Sequence, residues 1–233
     1  MISDHHTNNK KLNTMHNAKN RDNTDYETIF LNKKIITPED VMKIRMPTRN
    51  YLCPMEANVF GIDFTRFQIR EIPSNRVIFQ INKSFWREHE FSKDASLLLP
   101  NGSENNVQLS HLADYTSQQR SIKYRFRPDF LKLKTIGTTV EFTVGNHEIQ
   151  DFRMIEHHFF RDTLIKSFDF DFGFCIPNTV NTCEHIYEMP KMTHHQIRDM
   201  VKNPYETKSD SYYFVNGNLF MHNKAEYAFD LDT

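Results

Sequence analysis

Apolar residues along this chain recur mainly with a period of two, the spacing of half-buried β-strands. Phe60, Ile62 and Phe64 alternate with polar or small residues, and the phase then slips by one to Phe67 and Ile69. Such a slip predicts a bulge or a bend between sheets. Val77, Phe79 and Ile81 predict a second strand after the turn Pro73-Ser74-Asn75. Alternation returns at Ile122, Tyr124 and Phe126, stops at Pro128, and returns again at Val140, Phe142 and Val144 before the Gly145-Asn146 turn. Over 152–160, Phe152, Met154, Glu156, His158 and Phe160 share one face. Next, Phe168, Phe170, Phe172 and Phe174 fall on one face, with Asp169, Asp171 and Gly173 on the other. Tyr213 and Val215 lead into Asn216-Gly217, and Leu219 and Met221 lead out, the pattern of a two-residue hairpin.

Only two segments read as helix. Thr37 is a good N-cap, Pro38 suits the first helical position and Asp40 favours the helix start, so a short helix is predicted to about Arg45, ended by Met46-Pro47. Thr193 and Gln196 form a capping box ahead of an Ile197, Met200, Val201 stripe that Asn203-Pro204 terminates. Residues 1–35 are rich in Asn, Lys, Asp and His without any period, and read as a disordered polar tail. Residues 36–233 then form one domain, with a mobile Ser-, Asn- and Gln-rich insert at about 84–120. Many short strands, regular turn signals and two minor helices predict an all-β sandwich.

Composition sharpens one question. The 233 residues include 20 Phe but 1 Trp and 6 Gly. Those rings make either a Phe-heavy core or the lining of a cavity, and the Phe168 to Phe174 face carries the same two readings. The formal net charge of −1 gives no electrostatic case for nucleic acid. Cys53, Cys175 and Cys183 cannot all pair within one chain, and no signal peptide precedes them, so free thiols in a reducing, cytoplasmic compartment are expected. No apolar run approaches the roughly 20 residues of a membrane span. Position 2 is Ile rather than the Gly that myristoylation needs.

Catalytic and metal signals are weak. His157 and His158 are adjacent and would face opposite sides of a strand, His194 and His195 lack an i, i+4 partner, and Cys183 with His185 has no second pair at zinc-ligand spacing. G-x-S-x-G, P-loop and G-x-G-x-x-G motifs are absent, so neither an enzyme nor a metal site is expected. Glu156 and His158 form a polar pair on an otherwise apolar strand face. That face is a wet sheet edge, the two groups satisfy each other, or they form the polar mouth of an apolar cavity.

Gly173-Phe174-Cys175-Ile176-Pro177 followed by Asn181-Thr182-Cys183-Glu184-His185-Ile186-Tyr187 resembles the uncoordinated (Unc) family of myristoyl-binding chaperones. That family is related to the delta subunit of rod cGMP phosphodiesterase and more distantly to the Rho GDP-dissociation inhibitors. The likeness continues through Tyr51-Leu52-Cys53, Phe152-Arg153-Met154-Ile155-Glu156, Lys166-Ser167-Phe168-Asp169-Phe170, Pro204-Tyr205-Glu206-Thr207, Ser209-Asp210-Ser211 and Met221-His222-Asn223-Lys224-Ala225. It spans roughly Thr37 to Tyr227, the insert excepted.

The resemblance implies an immunoglobulin-like β-sandwich with a hydrophobic tunnel between its sheets. It assigns Phe67, Tyr124, Phe130, Phe168, Met189, Tyr213 and Tyr227 to the lipid-binding wall, and Glu156 and His158 to the polar mouth beside the acylated N-terminal glycine of cargo. It implies N-myristoylated partners of ciliary and synaptic kind, such as G-protein α subunits and Src-type kinases, released by Arf-like small GTPases in their GTP form. The expected protein is a non-enzymatic, cofactor-free monomer. A prenyl carrier like the delta subunit, or an adaptor with a packed core, are the other readings. Three positions depart from the family: Met189 replaces the usual Phe, His157 replaces the usual Arg, and the insert is longer. The tail also lacks the Pro-rich segment through which some relatives engage SH3 domains.

Overall fold

The computed structural model describes residues 26–82 and 120–230. Among the described residues, nine strands form two sheets: β1 (Asp63–Ile72), β2 (Val77–Asn82), β3 (Ser121–Arg125), β4 (Thr135–Thr143), β5 (Ile149–Phe160), β6 (Thr163–Cys175), β7 (Val180–Glu188), β8 (Thr207–Val215) and β9 (Asn218–Ala228). One sheet runs β2-β1-β4-β7 and the other β3-β9-β8-β5-β6. All pairings are antiparallel except β3 with β9. The expected all-β sandwich is therefore the fold.

The slip of apolar phase in β1 is a bulge. Its register against β4 shifts between Phe64 and Arg66, and the displaced Thr65 donates its hydroxyl to Glu141 Oε1 at 2.7 Å. The Asn216-Gly217 turn joins β8 to β9 with both residues at positive φ, 49° and 74°, the backbone of a type I′ turn. The late helix, His194–Lys202, carries the expected capping box: Gln196 N–H donates to Thr193 Oγ1 at 3.2 Å, and Thr193 N–H to Gln196 Oε1 at 2.9 Å.

Four expectations need correction. Phe174 does not share the face of Phe168, Phe170 and Phe172: it is 53% exposed while Cys175 is buried. Gly173 adopts φ +70°, which shifts the β5–β6 register and turns the alternation over. The helix at Pro38 ends at Val41, short of Arg45, because Lys43 and Ile44 N–H groups bond three residues back and tighten the chain into a 3-10 turn. β7 was not foreseen, since its inward residues Cys183, His185 and Tyr187 alternate with polar ones and leave little apolar signal.

The fourth concerns the expected 1–35 tail. Residues 1–25 lie outside the described residues, but 26–31 are helical, with Phe30 2% exposed. Residues 26–53 run as a strap over the outer face of the five-stranded sheet, where Phe30, Ile36, Val41, Ile44 and Leu52 bury against Ile155, Phe159, Tyr212 and Phe214. Glu27 anchors the strap start by accepting the N–H groups of Arg49 and Asn50 at 3.1 and 2.6 Å. The expected insert at about 84–120 lies outside the described residues except Arg120. That residue is fixed, with Nε donating to the His222 carbonyl and Nη1 to the Cys53 carbonyl, both at 2.9 Å.

Candidate functional site: a cavity between the sheets

Strand alternation sends one face of each sheet inward. The inner faces here do not close on each other along their whole length. They enclose a cavity of about 1320 Å³, larger than the roughly 300–1,000 Å³ of ordinary ligand pockets. All nine residues expected at the site line it: Phe67, Tyr124, Phe130, Glu156, His158, Phe168, Met189, Tyr213 and Tyr227. They come from β1, β3, the 3-10 helix Pro128–Lys132, β5, β6, the segment after β7, β8 and β9.

The walls are built from ring contacts. Tyr124 stacks on Tyr227 at 5.4 Å, Tyr227 stacks on His158 at 5.9 Å, and His158 meets Phe168 edge-on at 5.4 Å. Phe67 meets Tyr124 at 6.4 Å, and Phe130 reaches the group through Phe126 at 4.3 Å. Met189, with Met192, Ile197 and Met200, closes the apolar end around Ile69, Phe79 and Ile136.

The nine candidate residues leave out Phe170, His185, Tyr187, Ser209, Ser211 and Asn223, which also line the cavity, although the face of Phe170 was one of those for which a cavity was weighed. Phe170 was recoverable from alternation with Phe168, and Ser209 and Ser211 from their even spacing to Tyr213. Tyr187 and His185 were hidden with β7. Their rings meet those of β6 across the gap between the two sheets, Tyr187 to Phe168 at 4.5 Å and His185 to Phe170 at 4.4 Å.

A polar belt crosses this apolar space. Glu156, on β5, pairs in register with Phe168 and with Ser211, and Ser211 pairs with Asn223. One step along, His158 pairs with Lys166 and with Ser209, and Ser209 pairs with Ala225. β5 lies between β8 and β6, so the belt sits inside the sheet, not at its edge. Glu156 Oε1 and His158 Nε2 are 2.7 Å apart, so the pair satisfies itself and still faces the cavity. The Ser209 and Tyr227 hydroxyls lie 2.9 Å apart. To one side Phe142 and Phe152 pack with Met154 and Phe172, the last two also lining the cavity; to the other lies the apolar end described above.

The belt's electrostatics follow from burial. Desolvation, and then the nearby Glu156 carboxylate, push the phenols of Tyr124, Tyr187, Tyr213 and Tyr227 above the ordinary tyrosine range. All four therefore remain neutral hydroxyls that can donate to an acceptor in the cavity.

Cys183 Sγ and His185 Nε2 lie 3.6 Å apart, but no group of three metal-ligating side chains occurs among the described residues. Burial pushes the thiols of Cys53, Cys175 and Cys183 up, away from the reactive thiolate, and all three are free. No helix among the described residues is long and apolar enough to cross a membrane.

A hollow β-sandwich with aromatic walls and an internal polar belt defines a lipid-binding carrier. The comparisons agree. Residues 56–229 match the model of the GMP-PDE delta-subunit family. The chain is 45% identical over 225 residues to protein unc-119 homolog B of Danio rerio, covering 95% of this chain and 85% of that one. It is 46% identical over 207 residues to protein unc-119 homolog B of Homo sapiens (89% and 76%), and 47% over 204 residues to protein unc-119 of Caenorhabditis elegans (88% and 84%). The chain belongs to the unc-119 family within the GMP-PDE delta-subunit group, whose members are non-catalytic binding proteins.

Proposed function

We propose that this protein sequesters the myristoyl group of N-myristoylated proteins, G-protein α subunits and ciliary or synaptic proteins among them, and delivers them to membranes. The observation that carries the reading is the cavity itself: an apolar aromatic end joined to a belt of acceptors and donors. An acyl chain has about 13 carbons beyond its carbonyl, and at ~0.8 kcal/mol per buried CH₂ its burial contributes about 10 kcal/mol gross. A bilayer offers a similar gain, so a carrier must add polar recognition that a membrane lacks. In this reading Glu156 and His158 bond the first amides of the acylated peptide, which favours an acylated N-terminus over a prenylated C-terminus.

Release falls to an Arf-like small GTPase in its GTP form, which favours a narrowed, emptied cavity. The coupling is reciprocal, so cargo weakens GTPase binding by the factor by which the GTPase weakens cargo binding. Competition between a fluorescent myristoyl-glycine peptide and GTP-loaded Arf-like protein tests this arm. Mutual weakening is expected; a ternary complex with neither affinity changed contradicts it. Native mass spectrometry of the protein with the same peptide tests the carrier reading, one acylated peptide per chain being the expected result.

A further inference from the structure

We propose that the outer side of the strap, with the Pro54 and Met55 that follow it, is a docking surface for a bilayer of anionic phospholipid. The inference goes beyond the acyl-carrier reading and is tested without cargo. The strap buries Phe30, Ile36, Val41, Ile44 and Leu52 on the five-stranded sheet. Tyr26, Ile29, Leu31, Ile35, Met42 and Met55 stay exposed, more than half of the large exposed apolar residues among the described residues. Five cations are exposed with them, Lys33, Lys34, Lys43, Arg45 and Arg49, against one exposed acid, Glu39. The other two acids of residues 26–55 are buried. Glu27 accepts the Arg49 and Asn50 N–H groups, and Asp40 lies beneath Lys33 and Lys43, at 2.6 and 3.6 Å. The segment therefore shows solvent its apolar and basic side chains and keeps most of its negative charge inside.

Polar contacts hold these residues in one surface. Glu27 ties the helical start of the strap to Arg49, Asp40 ties Lys33 to Lys43, and Arg45 Nη1 donates to the Met42 carbonyl at 2.7 Å. Met42 Sδ in turn accepts from the Ser167 hydroxyl of β6 at 3.8 Å, and the nearby Asp169 of β6 is already held by Arg153 at 2.7 Å. Charge and composition make the partner a bilayer. Apolar side chains among cations enter the headgroup boundary while the cations meet anionic headgroups, and each cation close to such a surface strengthens binding about fivefold. Protein interfaces centre instead on desolvated pockets that seat an anchor side chain. The segment also ends at the site: Tyr51, Pro54 and Met55 line the cavity, and Pro54 and Met55 are exposed. Docking through the strap therefore brings an opening of the cavity to the membrane.

The test is flotation of the full chain, without cargo, with phosphatidylcholine vesicles that contain or lack phosphatidylserine. Binding is expected only with phosphatidylserine, and is expected to fall between about 0.1 and 1 M salt as the screening length shortens from roughly 10 to 3 Å. A Lys34→Gln, Arg45→Gln, Arg49→Gln variant should bind at least tenfold more weakly at low salt, and an Ile29→Ser, Ile35→Ser variant several-fold more weakly. Both should keep the parent's thermal unfolding midpoint and its affinity for a myristoyl-glycine peptide in solution, which separates this surface from the carrier site. If a variant unfolds, quenching of a fluorophore on Ile29→Cys by brominated phosphatidylserine takes its place, and quenching at Ile29 is the expected result. No binding to phosphatidylserine vesicles, equal binding to both vesicle types, or binding that neither variant weakens would overturn the proposal. So would capture of polyglutamate where vesicles fail, which would make the patch a site for an acidic peptide.

Discussion

Glu156 Oε1 lies 2.7 Å from His158 Nε2, two residues apart on one strand and both facing the cavity. In the carrier reading proposed above, this pair sets what the cavity selects. A carboxylate and an imidazole held in contact present an acceptor and a donor to the amide that joins an acyl chain to glycine. Hydrogen bonds to charged groups are worth about 1.5–3 kcal/mol. Glu156→Ala and His158→Ala should each weaken a myristoylated peptide tenfold or more and leave free myristic acid nearly unchanged. Equal weakening of both ligands in a calorimetric titration would assign the pair to structure instead.

Met189 lines the apolar end, at a position where the resemblance leads one to expect Phe. Methionine is unbranched and fills irregular space, so this wall yields more readily than a ring would. Met189→Phe should narrow acceptance, shifting preference from sixteen-carbon towards shorter acyl chains by several-fold in competition binding. An unchanged chain-length profile would mean that Met189 does not limit the cavity.

The strap is latched by buried polar groups. Thr48 donates its N–H and hydroxyl to Asp210 Oδ2 at 2.8 and 3.1 Å, Leu52 N–H donates to His222 Nδ1 at 3.0 Å, and His157 Nε2 lies 3.0 Å from the Val41 carbonyl. Burial holds His157 and His222 below the ordinary histidine range, so both stay neutral when folded. In the unfolded chain they take up protons below about pH 6.5. Their contribution is therefore fully present above that pH and lost as pH falls towards their folded values. Burial opposes the charge on Asp210, but His222, Lys224 and the Thr48 N–H outweigh it, so its contribution is lost only in strong acid. Melting temperature should fall between pH 7.5 and 5.5, with faster amide exchange in residues 36–52 after correction for intrinsic rates. His157→Phe should flatten part of that slope; an unaltered slope would assign it to other groups.

Gly173 is the hinge of the β6 register. A Cβ added there meets only Asp171 Oδ1, at 4.0 Å, so a substitution is penalised by conformation and not by crowding. Gly173→Ala at φ +70° should cost about 1–2 kcal/mol, a drop of a few degrees in thermal unfolding. A variant as stable as the parent would show that the bulge relaxes freely.

The sequence carried the sandwich because its strands are amphipathic, and the Asn216-Gly217 turn and the Thr193 capping box because those local motifs determine their own geometry. It lost β7, whose inward Cys183 and His185 are polar, and the strap, whose few apolar residues bury only against a sheet face distant in sequence. It misplaced Phe174 because an alternation count does not see the reversal that Gly173 introduces. At the site, resemblance supplied nine residues that do come together. It did not supply Ser209 and Ser211, which even spacing to Tyr213 places on the cavity face, or Asn223, a small polar side chain brought into the same row by the pairing of β8 with β9.

The most direct test of the central claim is a fluorescence titration with three peptides of one sequence: one beginning with myristoyl-glycine, one unacylated, one farnesylated. The account predicts tight, saturable one-to-one binding of the myristoylated peptide, no binding of the unacylated one and much weaker binding of the farnesylated one. Equal affinity for all three, or none for the acylated peptide, would contradict it.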